Sequence, residues 1–198
     1  MSLNIAIVGA GNAACVTAMY YHVHGRLISH EVNKITIYYD PKIPIERVGQ
    51  GSVVPITKLI SQCFNINWYN NSIKSTPKTG ILYENWGSLD KLFHPFQLSN
   101  ISLHYVPQLL SKTILECGLF EVVEKNIKEP EEEIDADYIF DCRGKPEDYS
   151  EYDDLINPLN SVILSRKEGR DLELNYTRCV ATPHGWTFVI PNHDSVSY

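Results

Sequence analysis

The sequence has no uninterrupted apolar run near the roughly 18 residues that a membrane-spanning helix needs, so no membrane partner is expected. It lacks an excess of positive charge: 17 Lys and Arg stand against 24 Asp and Glu, for a net charge of −7 and a pI near 5.5. Phosphate backbones are held mainly by Lys and Arg, so nucleic acid is not expected either. There is no C-x-x-C spacing, and the five cysteines (15, 63, 117, 142 and 179) are odd in number. They read as reduced thiols of a cytoplasmic protein rather than as disulfides or a zinc site. The seven histidines are scattered, and His22 and His24 fall on different sides of a predicted helix, so no metal is expected. The apolar N-terminus reads as the first strand of the fold, not as a signal peptide. With 43 % apolar residues over 198 positions, the chain can bury a substantial core.

The most informative stretch is the first forty residues. Leu3 to Val8 reads as a short buried strand. Gly9-Ala10-Gly11-Asn12-Ala13-Ala14 follows, and Cys15 to His24 reads as a helix. A second strand, Lys34 to Tyr39, ends at Asp40. Strand, glycine turn, helix, strand, acid is the order of a dinucleotide site. Gly9 suits a tight turn, Gly11 allows close backbone approach to a pyrophosphate, and the helix start attracts phosphate. Ala14, in the third glycine position, is small enough for close helix–strand packing. Either Tyr39 or Asp40 could face the ribose.

Further along, Pro41 to Pro44 is expected to be extended, because each proline restricts the residue before it. Gly49-Gln50-Gly51-Ser52 is a second glycine loop. Helices are predicted over 55–64 and 106–117, the latter stopped by Gly118. Strands are predicted at 80–84, 119–123, 138–140, 161–165, 172–180 and 186–190. Residues 65–76 read as a polar loop, 88–103 as irregular, and 129–133 as a solvated acidic connector. The opening β-α-β with later strand-rich segments suits a flavoprotein-type domain.

Several segments together resemble flavin-dependent halogenases of the tryptophan halogenase family. Gly9 to Ala14 is similar to the family's FAD turn. Val48-Gly49-Gln50-Gly51-Ser52 resembles its G-E-G-T loop, and residues 77–87 (PKTGILYENWG) resemble F-K-x-G-I-x-F-x-N-W. Gly185 to Pro191 resembles the signature G-W-x-W-x-I-P, and Tyr138 to Gly144 a D-x-x-x-D-C-S-G strand. Ala14 replaces Gly, Cys15 stands where Trp is frequent, Gln50 replaces Glu, and Phe188 replaces the second Trp.

The resemblance implies a fold: a flavoprotein-type, Rossmann-like α/β domain with additional antiparallel strands, residues 1–198 forming a single FAD-binding domain. It implies FAD as cofactor, bound by Gly9 to Ala14, by Tyr39 or Asp40, and by Val48, Gly49, Gln50 and Gly51. It implies partners: a separate flavin reductase, chloride or bromide, and an electron-rich aromatic substrate such as tryptophan or another indole. Lys78 falls on the family's catalytic lysine, and Trp186 and Phe188 on the screen between flavin and substrate. The family's catalytic glutamate, halide-binding backbone and last FAD-binding strand lie beyond the segments matched here. Two further readings stand beside this one: an FAD-dependent monooxygenase or oxidoreductase, and a catalytically inactive nucleotide-binding fragment.

Overall fold

The computed structural model describes residues 2–25, 31–45, 47–64, 72–97, 102–144, 148–150, 152–153, 155–156, 159–169 and 174–198. In chain order the first elements are β1 (Ser2–Val8), α1 (Asn12–His24), β2 (Glu31–Tyr39), β3 (Gln50–Gly51), α2 (Val54–Phe64), β4 (Thr76–Lys78), β5 (Gly80–Glu84) and β6 (Lys91–Pro95). There follow β7 (Ser102–Tyr105), α3 (Pro107–Glu116), β8 (Glu121–Glu124), α4 (Pro130–Glu133), β9 (Tyr138–Asp141), β10 (Arg166–Glu168), β11 (Thr177–Thr182), β12 (Gly185–Pro191) and β13 (Ser195–Ser197). The chain divides into two compact units. The first comprises residues 1–47, 58–67 and 107–146; the second comprises 48–57, 68–106 and 147–198.

The first unit is built on a parallel four-stranded sheet in the order β8-β2-β1-β9. Ile5, Ala6, Ile7 and Val8 of β1 are each at most 2 % exposed, as expected for a central parallel strand covered on both faces. Helix α1 buries Ala14, Cys15, Ala18 and Met19. Ala14, in the first turn of α1, is 1 % exposed, as a small residue packed inward is expected to be. On one face Ala6 and Val8 cluster with Ile127 and Ile134.

The second unit holds a mixed six-stranded sheet, β10-β13-β12-β11-β5-β6, in which only β11 and β5 run parallel. It also holds an antiparallel three-stranded sheet, β3-β7-β4. A Rossmann-like parallel sheet with additional antiparallel strands is the architecture expected from the sequence.

Four local expectations are corrected. The Pro41–Pro44 stretch does not simply extend: the Lys42 N–H donates to Asp40 Oδ1 at 2.8 Å and the Ile43 N–H to Asp40 O at 3.1 Å. Aspartate side chains make such turns with their own backbone, and Pro41 supplies a suitable φ. The 88–103 region contains β6 and the start of β7 rather than irregular chain throughout. The 161–165 run forms no strand before Arg166: Val162 and Ile163 are 81 % and 89 % exposed, and only Ser165 joins the ladder, exchanging hydrogen bonds with Tyr198. β-Branched composition favours a strand only where a neighbour offers hydrogen bonds. The acidic 129–133 segment is a short helical turn with Pro130 at its start. Glu133 accepts the backbone N–H groups of Lys128 and Glu129 and pairs with Lys125. Those donors, Lys125 foremost, draw its carboxyl down to about 2.

The remaining boundaries move by a few residues; the 172–180 strand is observed at Thr177–Thr182, with residues 171–173 outside the described residues. Most of the 65–76 loop also lies outside them.

Candidate functional site

The turn after β1 contains two glycines with different reasons to be there. Gly9 has φ +119°, donates its N–H to Tyr38 O at 2.7 Å, and lies so close to Cys142 that a Cβ would sit 2.6 Å from its carbonyl oxygen. The protein's own backbone therefore demands glycine at 9. Gly11 is the residue before α1, at φ −76° and ψ −171°, with no side-chain cap. A Cβ at Gly11 would meet no atom within 4 Å. The fold tolerates a side chain at 11, so the open space beside it is available to a ligand. Helix α1 begins at this opening, where its first N–H groups and dipole favour an anion.

The turn lines a cavity of about 720 Å³ in the first unit. Gly9, Ala10, Gly11, Asn12 and Ala13 form one wall. Tyr38 to Ile45, Lys125 to Ile127, and Cys142 to Gly144 form others. Ala14 is a buried residue of α1 and is not among the residues lining the cavity. Tyr39 and Asp40 both do, but their groups are differently engaged. The Tyr39 hydroxyl donates to Glu124 Oε1 at 2.8 Å. Asp40 accepts the Lys42 N–H with Oδ1, and among the described residues Oδ2 has no partner. Arg143, which sequence reading missed, donates to both carboxylate oxygens of Asp141 and to the Ile127 carbonyl, locking the far rim. Only its position beside the strand-end Asp141 could have signalled it. The buried Cys15 thiol, next to the turn, is pushed up to about 12 by burial and stays protonated.

Val48, Gly49, Gln50 and Gly51 belong to the second unit and are not among the residues lining this cavity. The Gly49 N–H donates to Ser197 Oγ at 2.8 Å, and a Cβ there would lie 2.3 Å from Asn192 Oδ1. A Cβ at Gly51 would lie 2.9 Å from Lys78 Nζ.

Lys78 ends strand β4. It is 8 % exposed. Its Nζ lies 5.4 Å from the centroid of the Phe96 ring, a cation–π arrangement. Among the described residues no carboxylate pairs with it. Burial lowers its pKa from the ordinary lysine value. On the facing strand β7, His104 is wholly buried. Its Nε2 is 2.9 Å from Thr177 Oγ1 and its Nδ1 is 3.4 Å from Thr76 Oγ1. Burial first, and the Lys78 charge second, hold this imidazole neutral, down to about 3. No sequence signal marked His104, since a lone histidine in a short strand is ordinary.

Trp186 and Phe188 share one face of β12, with ring centroids 6.4 Å apart at 73°. Each is 46 % exposed, so alternation along the strand does not place them in the core of this unit. Among the described residues no group of His, Cys, Asp or Glu could hold a metal ion. No described helix is long and apolar enough to cross a membrane.

The tryptophan halogenase family model matches residues 4–112. The fold is similar to that of BrvH, a flavin-dependent halogenase from Brevundimonas sp. BAL3, with a TM-score of 0.72 and 18 % identity. It is also similar to Xcc4156, a flavin-dependent halogenase from Xanthomonas campestris (0.70, 16 %), and to the tryptophan 6-halogenase SttH from Streptomyces toxytricini (0.70, 14 %). These alignments cover 98 %, 98 % and 99 % of this chain but 55 %, 54 % and 57 % of those chains. The chain thus spans a little over half the length of the solved structures it matches. No curated protein matches it in sequence. The chain belongs to the tryptophan halogenase family.

Proposed function

We propose that this chain is the FAD-binding portion of a flavin-dependent halogenase acting on an electron-rich aromatic substrate such as tryptophan or another indole. The observation that carries the reading is Lys78: a nearly buried lysine against an aromatic ring, without a carboxylate partner among the described residues, in the span matched by the family model. A lysine kept for solubility or for an ion pair would be exposed or paired.

The residues of the first unit fit FAD. The backbone of Gly9 to Ala13 and the start of α1 take the pyrophosphate, and the space beside Gly11 admits its oxygens. Asp40 takes the ribose hydroxyls, because the Tyr39 hydroxyl is committed to Glu124. The cavity of about 720 Å³ is within the usual range for cofactor sites. When bound and reduced by a separate flavin reductase, FAD supplies with O₂ the oxidising power that turns chloride or bromide into hypohalous acid.

The protein's contribution is placement. The Nζ of Lys78 donates a hydrogen bond to the hypohalous oxygen and fixes the direction in which the halogen is presented. A ring carbon of the substrate attacks the halogen, the oxygen–halogen bond breaks, and the oxygen leaves as water with the proton lost from that carbon. Trp186 and Phe188 form the aromatic screen between flavin and substrate.

Calorimetric titration of the chain with FAD and with NADH tests the cofactor half of the reading. FAD is expected to bind the more tightly; tighter NADH binding would sink it. The catalytic half is tested by supplying a flavin reductase, bromide and a panel of indoles and phenols, with products read by mass spectrometry. Halogenated product that disappears in Lys78→Ala supports the role of the lysine, whereas halogenation retained by Lys78→Ala removes it. Hydroxylated product instead makes the chain a monooxygenase.

A further inference from the structure

We infer that Gly51 and His104 are positioning residues for Lys78, which together seat its ammonium in a buried place without a counter-charge; the inference rests on the halogenation reading above. In the three-stranded sheet, β7 lies between β4 and β3. Thr76 is opposite His104, Lys78 is opposite Ser102, and Gly51 is opposite His104 from the other side. Residues opposite one another, and residues two apart on one strand, share a face. Gly51, Thr76, Lys78, Ser102 and His104 therefore stand on one face of this sheet.

On that face the Lys78 side chain reaches from β4 toward β3, and its Nζ comes within 2.9 Å of the point where Gly51 would carry a Cβ. Gly51 does not have a positive φ, so its backbone does not call for glycine. The ammonium occupies the place that a side chain on residue 51 would take. A methyl group there is closer than real contacts allow, and the lysine end would have to move.

His104 settles the electrostatics of the same face. The Thr76 hydroxyl donates to the Pro191 carbonyl at 2.8 Å, so its oxygen is left to accept. A ring hydrogen on Nδ1, facing Thr76, leaves Nε2 to accept from the Thr177 hydroxyl, and a backbone hydrogen bond with Pro77 also reaches this ring. The ring is satisfied while neutral. A carboxylate in this position would instead pair with Lys78 and hold it as a full cation. His104 is the titratable group that acts on Lys78 from β7, where Ser102 stands opposite the lysine; β3 brings Gly51 close, and the Phe96 ring lies beside the ammonium. With no compensating anion among the described residues, the lysine keeps its terminal N–H groups available to a small polar ligand.

The test follows the lysine itself, in protein labelled with ¹³C at lysine Cε, the Lys78 signal being identified by its loss in Lys78→Arg. Gly51→Ala is expected to move both the Lys78 resonance and its titration midpoint. His104→Gln, neutral and able to bond on both sides, is expected to leave the midpoint below that of the surface lysines. His104→Glu is expected to raise it above them, by about a unit or more. A Lys78 signal unmoved by Gly51→Ala, or a midpoint indifferent to His104→Glu, overturns the inference. Should His104→Glu fail to fold, Gly51→Ala decides alone. This readout requires neither flavin nor turnover. Failure of the halogenation reading would show as halogenation retained in Lys78→Ala, independently of the titration.

Discussion

Gly9 and Cys142 approach so closely that a Cβ on the glycine would stand 2.6 Å from the cysteine's carbonyl oxygen, whereas Gly11, two residues on, faces open space. The contact joins the end of β1 to the end of β9, and it separates a glycine that the backbone requires from one beside open space. Gly9→Ala is expected to lower stability by about 2 kcal/mol or more, since it combines an unfavourable φ with a backbone clash. Gly11→Val is expected to leave the fold intact, with a loss of about 1 kcal/mol at the helix start, and to abolish FAD binding. Urea unfolding and calorimetry on both variants check this; FAD binding by Gly11→Val equal to the parent's would show that the phosphates lie elsewhere.

The neighbouring pair Tyr39 and Asp40 offers a second discrimination. Removing the carboxylate in Asp40→Ala is expected to weaken FAD binding about tenfold, the loss of a charge-assisted hydrogen bond to the ribose. Tyr39→Phe deletes only the bond to Glu124 and is expected to leave FAD affinity within about twofold. The reverse ranking would assign the ribose to the tyrosine.

His104 predicts a particular dependence of stability on pH. Its ordinary pKa is 6.5, and burial lowers it to about 3 in the folded protein. Below pH 6.5 the unfolded chain binds a proton at this ring that the folded chain refuses. Stability is therefore lost as pH falls from about 6.5 toward 3, by up to about 1.4 kcal/mol per pH unit from this group, and is fully present above that range. Chemical denaturation at pH 7.5, 6 and 5 should show the slope, and His104→Gln should remove that part of it. An identical slope in the variant would mean that other groups carry the acid sensitivity.

Trp186 and Phe188 are expected to behave as surface residues in stability measurements. Each is almost half exposed, so Trp186→Ala or Phe188→Ala should lower stability by about 1 kcal/mol or less. Leu110→Ala, at a fully buried position, should cost about 2–5 kcal/mol. A large loss of stability at Trp186 would make it a core residue rather than a screen.

The order strand, glycine turn, helix, strand, acid was legible in the sequence, because local patterning at periods of 2 and 3.6 is written residue by residue. So was the family resemblance, carried by segments whose residues are contiguous. Other features depended on contacts between distant residues. The same glycine letter stands at 9, 11, 49 and 51, and only the fold shows that Cys142, open space, Asn192 and Lys78 are the respective neighbours. The run at 161–165 has strand composition but, among the described residues, no hydrogen-bonding neighbour before Ser165, and it does not form the predicted strand. The burial of Lys78 appears only when β7 pairs with β4, and His104 reads as an unremarkable residue until Thr76 and Thr177 arrive from two other strands. Sequence alone thus determined the strand, glycine turn and helix at the N-terminus and the resemblance to the family. Tertiary structure decided which side chains are buried together, because burial and charge environment arise only when residues far apart in the chain are packed side by side.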